Sequence, residues 1–273
     1  MTRDRQRTAS TGAIMIVVAL IIACASAPAG QDKRVTASDT ERSRRLLSIV
    51  QEMNRKAVDS YSAQFTVEGV FGKNKFNSIG EALYNRNPRM ARYTFYDIVF
   101  KSPLTIMVQD GTALKFYFPA EKTLYLDNAE TIKLKNYAAI EIDFNLIYPF
   151  TAGQIPLLGD HSIKQGLIAE NDADRSYLLL ENRDYFQTIG FNGDLPDKIL
   201  FISKSSRKKT EFYLEKPRRE GGNVFYRKIR MLSPDGGGRL SLSFSEIRND
   251  VRMDAATMLK INLDKRTRIV NMQ

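Results

Sequence analysis

Tyr61-Ser62-Ala63-Gln64-Phe65-Thr66-Val67-Glu68 is apolar at every odd position and polar at every even one. Successive side chains of a strand point to opposite faces, so a period of two predicts a half-buried strand. The same alternation recurs along the chain. Leu114, Phe116 and Phe118 share a face, as do Leu124 and Leu126, Ile199 and Phe201, and Phe212 and Leu214. Phe225, Ile229 and Met231 follow, then Leu240, Leu242 and Phe244 against Ser241, Ser243 and Ser245, and last Leu259, Ile261 and Leu263. Asp110-Gly111, Gly221-Gly222 and Pro234-Asp235-Gly236 supply turns between such runs. About ten or eleven strands joined in order by short polar turns predict an antiparallel meander. Because each strand has one apolar face, the sheet must curl over something.

Two stretches offer that filling. Upstream, Leu46, Val50, Met53 and Ala57 fall on one helical face, with Arg42, Arg44, Arg45, Arg55 and Lys56 largely away from it. This predicts one amphipathic helix, capped by Asp39 or Thr40 and ending near Asp59. Downstream, the chain from Ala138 to Gly166 is apolar without alternation and is broken by Pro149 and Pro156. Short helical turns fit it best. Such an insertion between two runs of strands reads equally as a lid across the curled sheet or as a helix packed permanently in the core.

Further out lies the N-terminus. Arg3, Arg5 and Arg7 precede an apolar run from Ala13 to Ala23. A run of about eleven residues matches a signal-peptide core, and it is short of the roughly 20 that a spanning helix needs. Ile21-Ile22-Ala23-Cys24 resembles the lipobox of bacterial lipoproteins, and Cys24 is the one cysteine of the chain. That resemblance implies cleavage before Cys24 and acylation of its thiol; the plain alternative is a secretory signal. An acylated Cys24 would leave no thiol for disulfides or catalysis. Residues 25–40 are small and polar without periodicity, a flexible tether reaching about 20 Å as a random coil. The chain therefore divides into a signal peptide (1–23), a lipidated cysteine and tether (24–40) and a folded domain (41–273). Resemblance to the sorting rule of enteric bacteria, in which an aspartate at the position of Ala25 would favour the inner membrane, implies the outer membrane as the expected place, lipid-anchored and facing the periplasm.

The segment Asp110-Gly111-Thr112-Ala113-Leu114-Lys115-Phe116-Tyr117-Phe118-Pro119 resembles the LolA/LolB family of bacterial lipoprotein carriers. Pro88-Arg89-Met90-Ala91-Arg92-Tyr93, the opening helix, the strand from Tyr61 and the middle insertion occur in matching order. The resemblance implies a mainly β (α+β) fold: an incomplete antiparallel β-barrel of about eleven strands wrapped round an N-terminal helix and a middle helical lid. It also implies an apolar cavity that takes up acyl chains of lipoproteins. An anchored member would receive cargo from a periplasmic carrier protein. Phe65, Val67, Ile106, Leu114, Phe116 and Phe118 are the expected cavity wall, each able instead to serve as plain core. Ile147, Phe150 and Leu157 are the expected lid contacts. The sequence departs from the soluble carriers in two places: Asn87 stands where they have an arginine thought to pin the lid, with Arg86 one residue earlier, and Ala91 stands where they have a lining phenylalanine. The lid latch and cargo grip therefore need not be theirs, and phospholipid or hopanoid cargo fits the same expectations. So does a structural or interaction lipoprotein with a filled core.

Other classes find little support. The formal charge is +10, which suits weak attraction to an anionic membrane surface. No nucleic-acid motif appears, so nucleic acid is not an expected partner. The single histidine, His161, lies beside Asp160 and Ser162, and adjacency in sequence is not how a triad is assembled. Ser205-Ser206-Arg207-Lys208 fits S-x-x-K without its companion motifs. Asp172 and Asp174 lack the rest of a calcium loop, and Gly236-Gly237-Gly238 precedes a strand rather than a helix. No enzyme, cofactor or metal site is expected.

Overall fold

The computed structural model describes residues 37–272, apart from 72, 133–145, 147, 148, 151, 170, 171, 221 and 234–236. The expected signal peptide, Cys24 and most of the expected tether lie outside the described residues, and so does Ile147. The first element is α1 (Ala37–Arg55). It begins before Asp39 and Thr40, which therefore lie within the helix instead of capping it, and it stops four residues short of Asp59.

Among the described residues fourteen strands follow, against the ten or eleven expected. They are β1 (Ser60–Phe71), β2 (Asn74–Asn85), β3 (Met90–Tyr96), β4 (Pro103–Asp110), β5 (Ala113–Phe118), β6 (Thr123–Asn128) and β7 (Ser162–Ala169). The second half holds β8 (Asp172–Glu181), β9 (Tyr185–Asn192), β10 (Leu195–Ser203), β11 (Lys209–Glu220), β12 (Asn223–Ser233), β13 (Gly238–Asn249) and β14 (Arg268–Asn271). All belong to one open sheet in the order β14-β6-β5-β4-β3-β2-β1-β13-β12-β11-β10-β9-β8-β7. Two antiparallel meanders, β1 to β6 and β7 to β13, thus join through the β1–β13 pair. The chain between β6 and β7 must travel from one side of the sheet to its far edge.

The C-terminus departs from expectation. Leu259, Ile261 and Leu263 form no strand. The Asp254 carboxylate accepts a hydrogen bond from the Thr257 amide at 2.9 Å. That N-cap starts a short helix, α2 (Ala255–Leu259). Only beyond it does β14 pair with β6, in parallel.

Residues opposed across neighbouring strands share a face, so the register separates the two sides of the sheet. One row of the inner face runs through Ala63, Ala82, Tyr93, Met107 and Phe116. Another runs through Leu178, Ile189, Ile199, Phe212 and Met231. These residues join Leu46 and Val50 of α1, and Phe150, Ile155 and Leu158 of the middle segment, in one continuous core. Gly80 has a specific part in it. A Cβ there would come within 2.3 Å of the Phe65 ring and 2.6 Å of the Thr94 carbonyl oxygen, so the glycine lets Phe65 lie across β2.

The outer face is covered in one region. Arg92 on β3 donates to the carbonyls of Lys260 (2.6 Å) and Met258 (3.3 Å). This fastens the α2 segment over β3 and β4, where Met90, Val108, Tyr117, Leu124 and Met258 are buried.

Candidate functional site

The inner face is an aromatic wall. Phe65 meets Phe95 edge-on at 5.2 Å and Phe244 at 6.4 Å between ring centroids. Tyr61 stacks on Tyr84 at 5.4 Å and touches Phe225 at 5.9 Å. Among the expected wall residues, Phe65, Val67 and Leu114 are buried, Phe116 packs against the same core, and Phe118 is half-buried with its ring against Tyr125. The register brings these five to one face. Ile106 does not join them. It stands opposite Thr94 and Tyr117, on the outer face.

The middle segment lies across the wall as a cover. Phe150 sits 4.6 Å from the Phe212 ring. Ala152, Ile155 and Leu158 are buried, and Leu157 is half-buried against the core. Asn54, near the end of α1, grips the cover from both sides of one residue: its amide donates to the Ile155 carbonyl at 2.7 Å and its oxygen accepts from the Ile155 amide at 2.7 Å. Gln187, buried on β9, repeats the arrangement. It donates to the Pro156 carbonyl at 2.7 Å and accepts from the Leu158 amide at 3.1 Å. His161 hydrogen-bonds the Leu158 carbonyl through Nδ1 at 2.6 Å.

Arg86 serves the same assembly from behind. It donates to the carbonyls of Asn54 (2.9 Å) and Ala57 (3.1 Å), at and just beyond the C-terminus of α1, where helix carbonyls lack intrahelical partners. Arg86 therefore holds the helix whose Asn54 holds the cover. Asn87, at the latch position of the soluble carriers, is exposed. Ala91 is fully buried on the inner face.

Beneath the cover the described side chains meet one another. A gap bounded by Ala57, Val58, Gly153, Phe225 and Asn249 measures about 10 Å³, at the lower limit for one water. Pockets of several hundred Å³ lie on the other side of the sheet. One of about 620 Å³ is bounded chiefly by Gln64, Thr66, Ile79, Glu81, Tyr96 and Ser245; a second of about 610 Å³ crosses β2, β1, β13 and β12. Farther along the outer face, Glu211 accepts from the Tyr213 hydroxyl at 2.6 Å and pairs with Lys198 at 2.9 Å. The hydrogen bond from Tyr213, helped by Lys198, holds the Glu211 carboxyl below its ordinary value of 4.5 against the opposing effect of burial.

The turn between β3 and β4 is the other feature that periodicity does not reveal. The Asp97 carboxylate accepts from the amides of Val99 (2.9 Å) and Phe100 (2.7 Å), and the Lys101 amide closes on the Asp97 carbonyl at 3.0 Å. This tight turn holds Val99 77% and Phe100 82% exposed. Among the described residues no group of three or more His, Cys, Asp or Glu side chains is placed to hold a metal ion, and no helix is long and apolar enough to cross a membrane.

Comparison with known proteins bears on this arrangement. No protein-family model matches the chain, and no curated protein sequence does. Solved structures do match. A LolA superfamily protein from Nitrosomonas europaea aligns with a TM-score of 0.55 at 14% identity, over 79% of this chain and 97% of its own. A DUF1329 family protein from Desulfovibrio piger aligns at 0.57 and 12%, over 80% and 97%. A putative outer membrane lipoprotein-sorting protein domain from Vibrio parahaemolyticus aligns at 0.55 and 11%, over 79% and 97%. Identities this low establish the architecture alone: a mainly β, LolA-like half-barrel, left open as one sheet.

Proposed function

We propose, from the premise that this chain has the LolA-like fold, that it is a lipid-anchored envelope lipoprotein that shelters acyl chains. The cargo would be lipoproteins or related amphiphiles, handed on to the outer membrane. The supporting observation is the manner in which the cover is held. Residues 155–158 lie in no helix or strand, and four side-chain-to-backbone hydrogen bonds from Asn54 and Gln187 hold them in place of a strand ladder. Such bonds contribute about 1 kcal/mol each and re-form with water when broken. The cover can therefore lift and uncover an aromatic wall without unfolding the sheet.

No chemistry is required. An acyl chain gains about 0.8 kcal/mol for every CH₂ removed from water, and the wall and the underside of the cover supply that environment. Binding must stay moderate so that the bilayer can reclaim the chain. Cys24 would tether the domain at the membrane, and the Val99–Phe100 turn offers apolar side chains to the bilayer at the point of release. A periplasmic carrier protein would be the donor.

The contacts among the described side chains beneath the cover favour a second reading, a structural lipoprotein whose own side chains occupy the fold permanently. Mass spectrometry of lipids extracted from the purified protein, with the Cys24 anchor peptide accounted for separately, decides between them. Non-covalent acyl chains at near-stoichiometric amounts are expected. Their absence, both from the native protein and from an Asn54→Ala/Gln187→Ala variant that frees the cover, would leave the structural reading standing.

A further inference from the structure

Sheltering acyl chains makes no use of the outer face opposite the wall. There the pairing of β2, β1, β13 and β12 sets Lys75, Val70, Arg239 and Leu232 side by side. Nearby, Arg230 stands opposite Ser241 and Lys228 opposite Ser243. Together they bound the pocket of about 610 Å³.

Its charges are unbalanced. Glu215 serves two cations, accepting from Arg230 Nε at 2.6 Å and lying 3.9 Å from Lys228 Nζ. Among the described residues, no ion pair is formed by Lys75, Arg239 or Glu68, the one acid in the floor. Four cations thus face two carboxylates above an apolar strip of Val70 and Leu232. That combination complements an anionic amphiphile: Lys75 and Arg239 suit a phosphate, while Val70 and Leu232 suit the glycerol and the first methylenes.

The pocket also lies at the right end of the molecule. Pairing of Phe71 with Asn74 and with Gly238, and of Ile79 with Tyr96, puts the β1–β2, β12–β13 and β3–β4 turns at one end of the strands. The exposed Val99 and Phe100 belong to that end. We infer that this basic trough binds the phosphate headgroup of an anionic phospholipid in the bilayer and docks that end of the sheet on the membrane. The inference rests on the reading of a protein that works at a bilayer, and it adds the lipid class and the residues that recognise it.

The test footprints lysines on the full chain held in nanodiscs of phosphatidylcholine, or of phosphatidylcholine mixed equally with phosphatidylglycerol. Acetylation of Lys75 should fall about fivefold in the mixed discs, the effect expected for one basic side chain near an anionic surface, with Lys260 unchanged. Arg239→Glu should abolish the protection, and Glu68→Gln should deepen it. Equal labelling in both discs would overturn the proposal, and so would equal protection by inorganic phosphate in phosphatidylcholine discs, which would mark a free-anion site. The acyl-chain content of Arg239→Glu separates the two readings. Normal content with lost protection is expected; protection that persists in this variant removes the trough from the account whatever the chain content.

Discussion

Replacing Asn54 with alanine tests whether the cover is a separable element. The substitution deletes both hydrogen bonds to Ile155, each 2.7 Å long. Each is worth about 1 kcal/mol, and leaving the Ile155 amide and carbonyl unpaired beside a buried side chain adds up to about 1 kcal/mol more in the closed state. Lifting the cover lets water satisfy both groups, so the closed state alone bears the loss. The opening equilibrium should shift by about 2–3 kcal/mol, roughly thirty- to a hundred-and-fiftyfold. Alanine regains about 0.5 kcal/mol of helix propensity in α1, but open and closed forms share that gain, and it reaches only global stability. Hydrogen exchange followed by peptide mass spectrometry reads the difference. Amides of 152–158 should exchange faster by that factor, while those of 61–68 in β1 stay near their original rates. Equal acceleration of both peptides, or of neither, would refute the idea that the cover opens independently of the sheet.

Gly80→Ala should destabilise by about 1–3 kcal/mol, read as a lower urea midpoint, because the new Cβ meets the Phe65 ring at 2.3 Å and a backbone oxygen that cannot give way at 2.6 Å. Phe100→Ser should change stability by less than about 0.5 kcal/mol yet slow the release of a fluorescent acyl chain to vesicles in a stopped-flow assay. Since the folded Glu211 carboxyl titrates below its ordinary value of 4.5, its contribution is fully present above that pH and is lost as pH falls through the lower folded value. Glu211→Gln should therefore flatten the acid limb of a melting-temperature profile and leave the neutral region parallel to the wild type.

Much of the sheet was legible because alternation survives wherever only one face is buried. Tyr61 to Glu68 reads correctly for that reason, and its odd positions are the ones that face the core. Ile106 departs from expectation where that condition fails. Leu104, Ile106 and Val108 alternate as an inward face would, yet they point outward, because the α2 segment covers β3 and β4 and makes apolar side chains favourable there. The segment that covers them departs from its pattern in turn: Leu259, Ile261 and Leu263 keep strand spacing, but the Asp254 cap commits the chain to a helical turn first. The clamps leave only a faint mark in the sequence for the opposite reason. Gln187 is a polar residue at an inward position of β9, between Leu180 and Phe201 in register, and Asn54 sits beside the apolar stripe of α1. A polar side chain intruding on an otherwise apolar face was the available signal, and it gains meaning only once the backbone it grips lies beside it.

The most direct measurement of the central claim is photo-crosslinking with a diazirine fatty acid, mapped by peptide mass spectrometry on the full chain. Sheltering under the cover predicts adducts in the peptides that carry Phe65, Leu114, Phe116, Phe150 and Leu157, increased by Asn54→Ala. Adducts confined to outer-face positions such as Ile106, Ile79 and Leu232, or none above background, would contradict it.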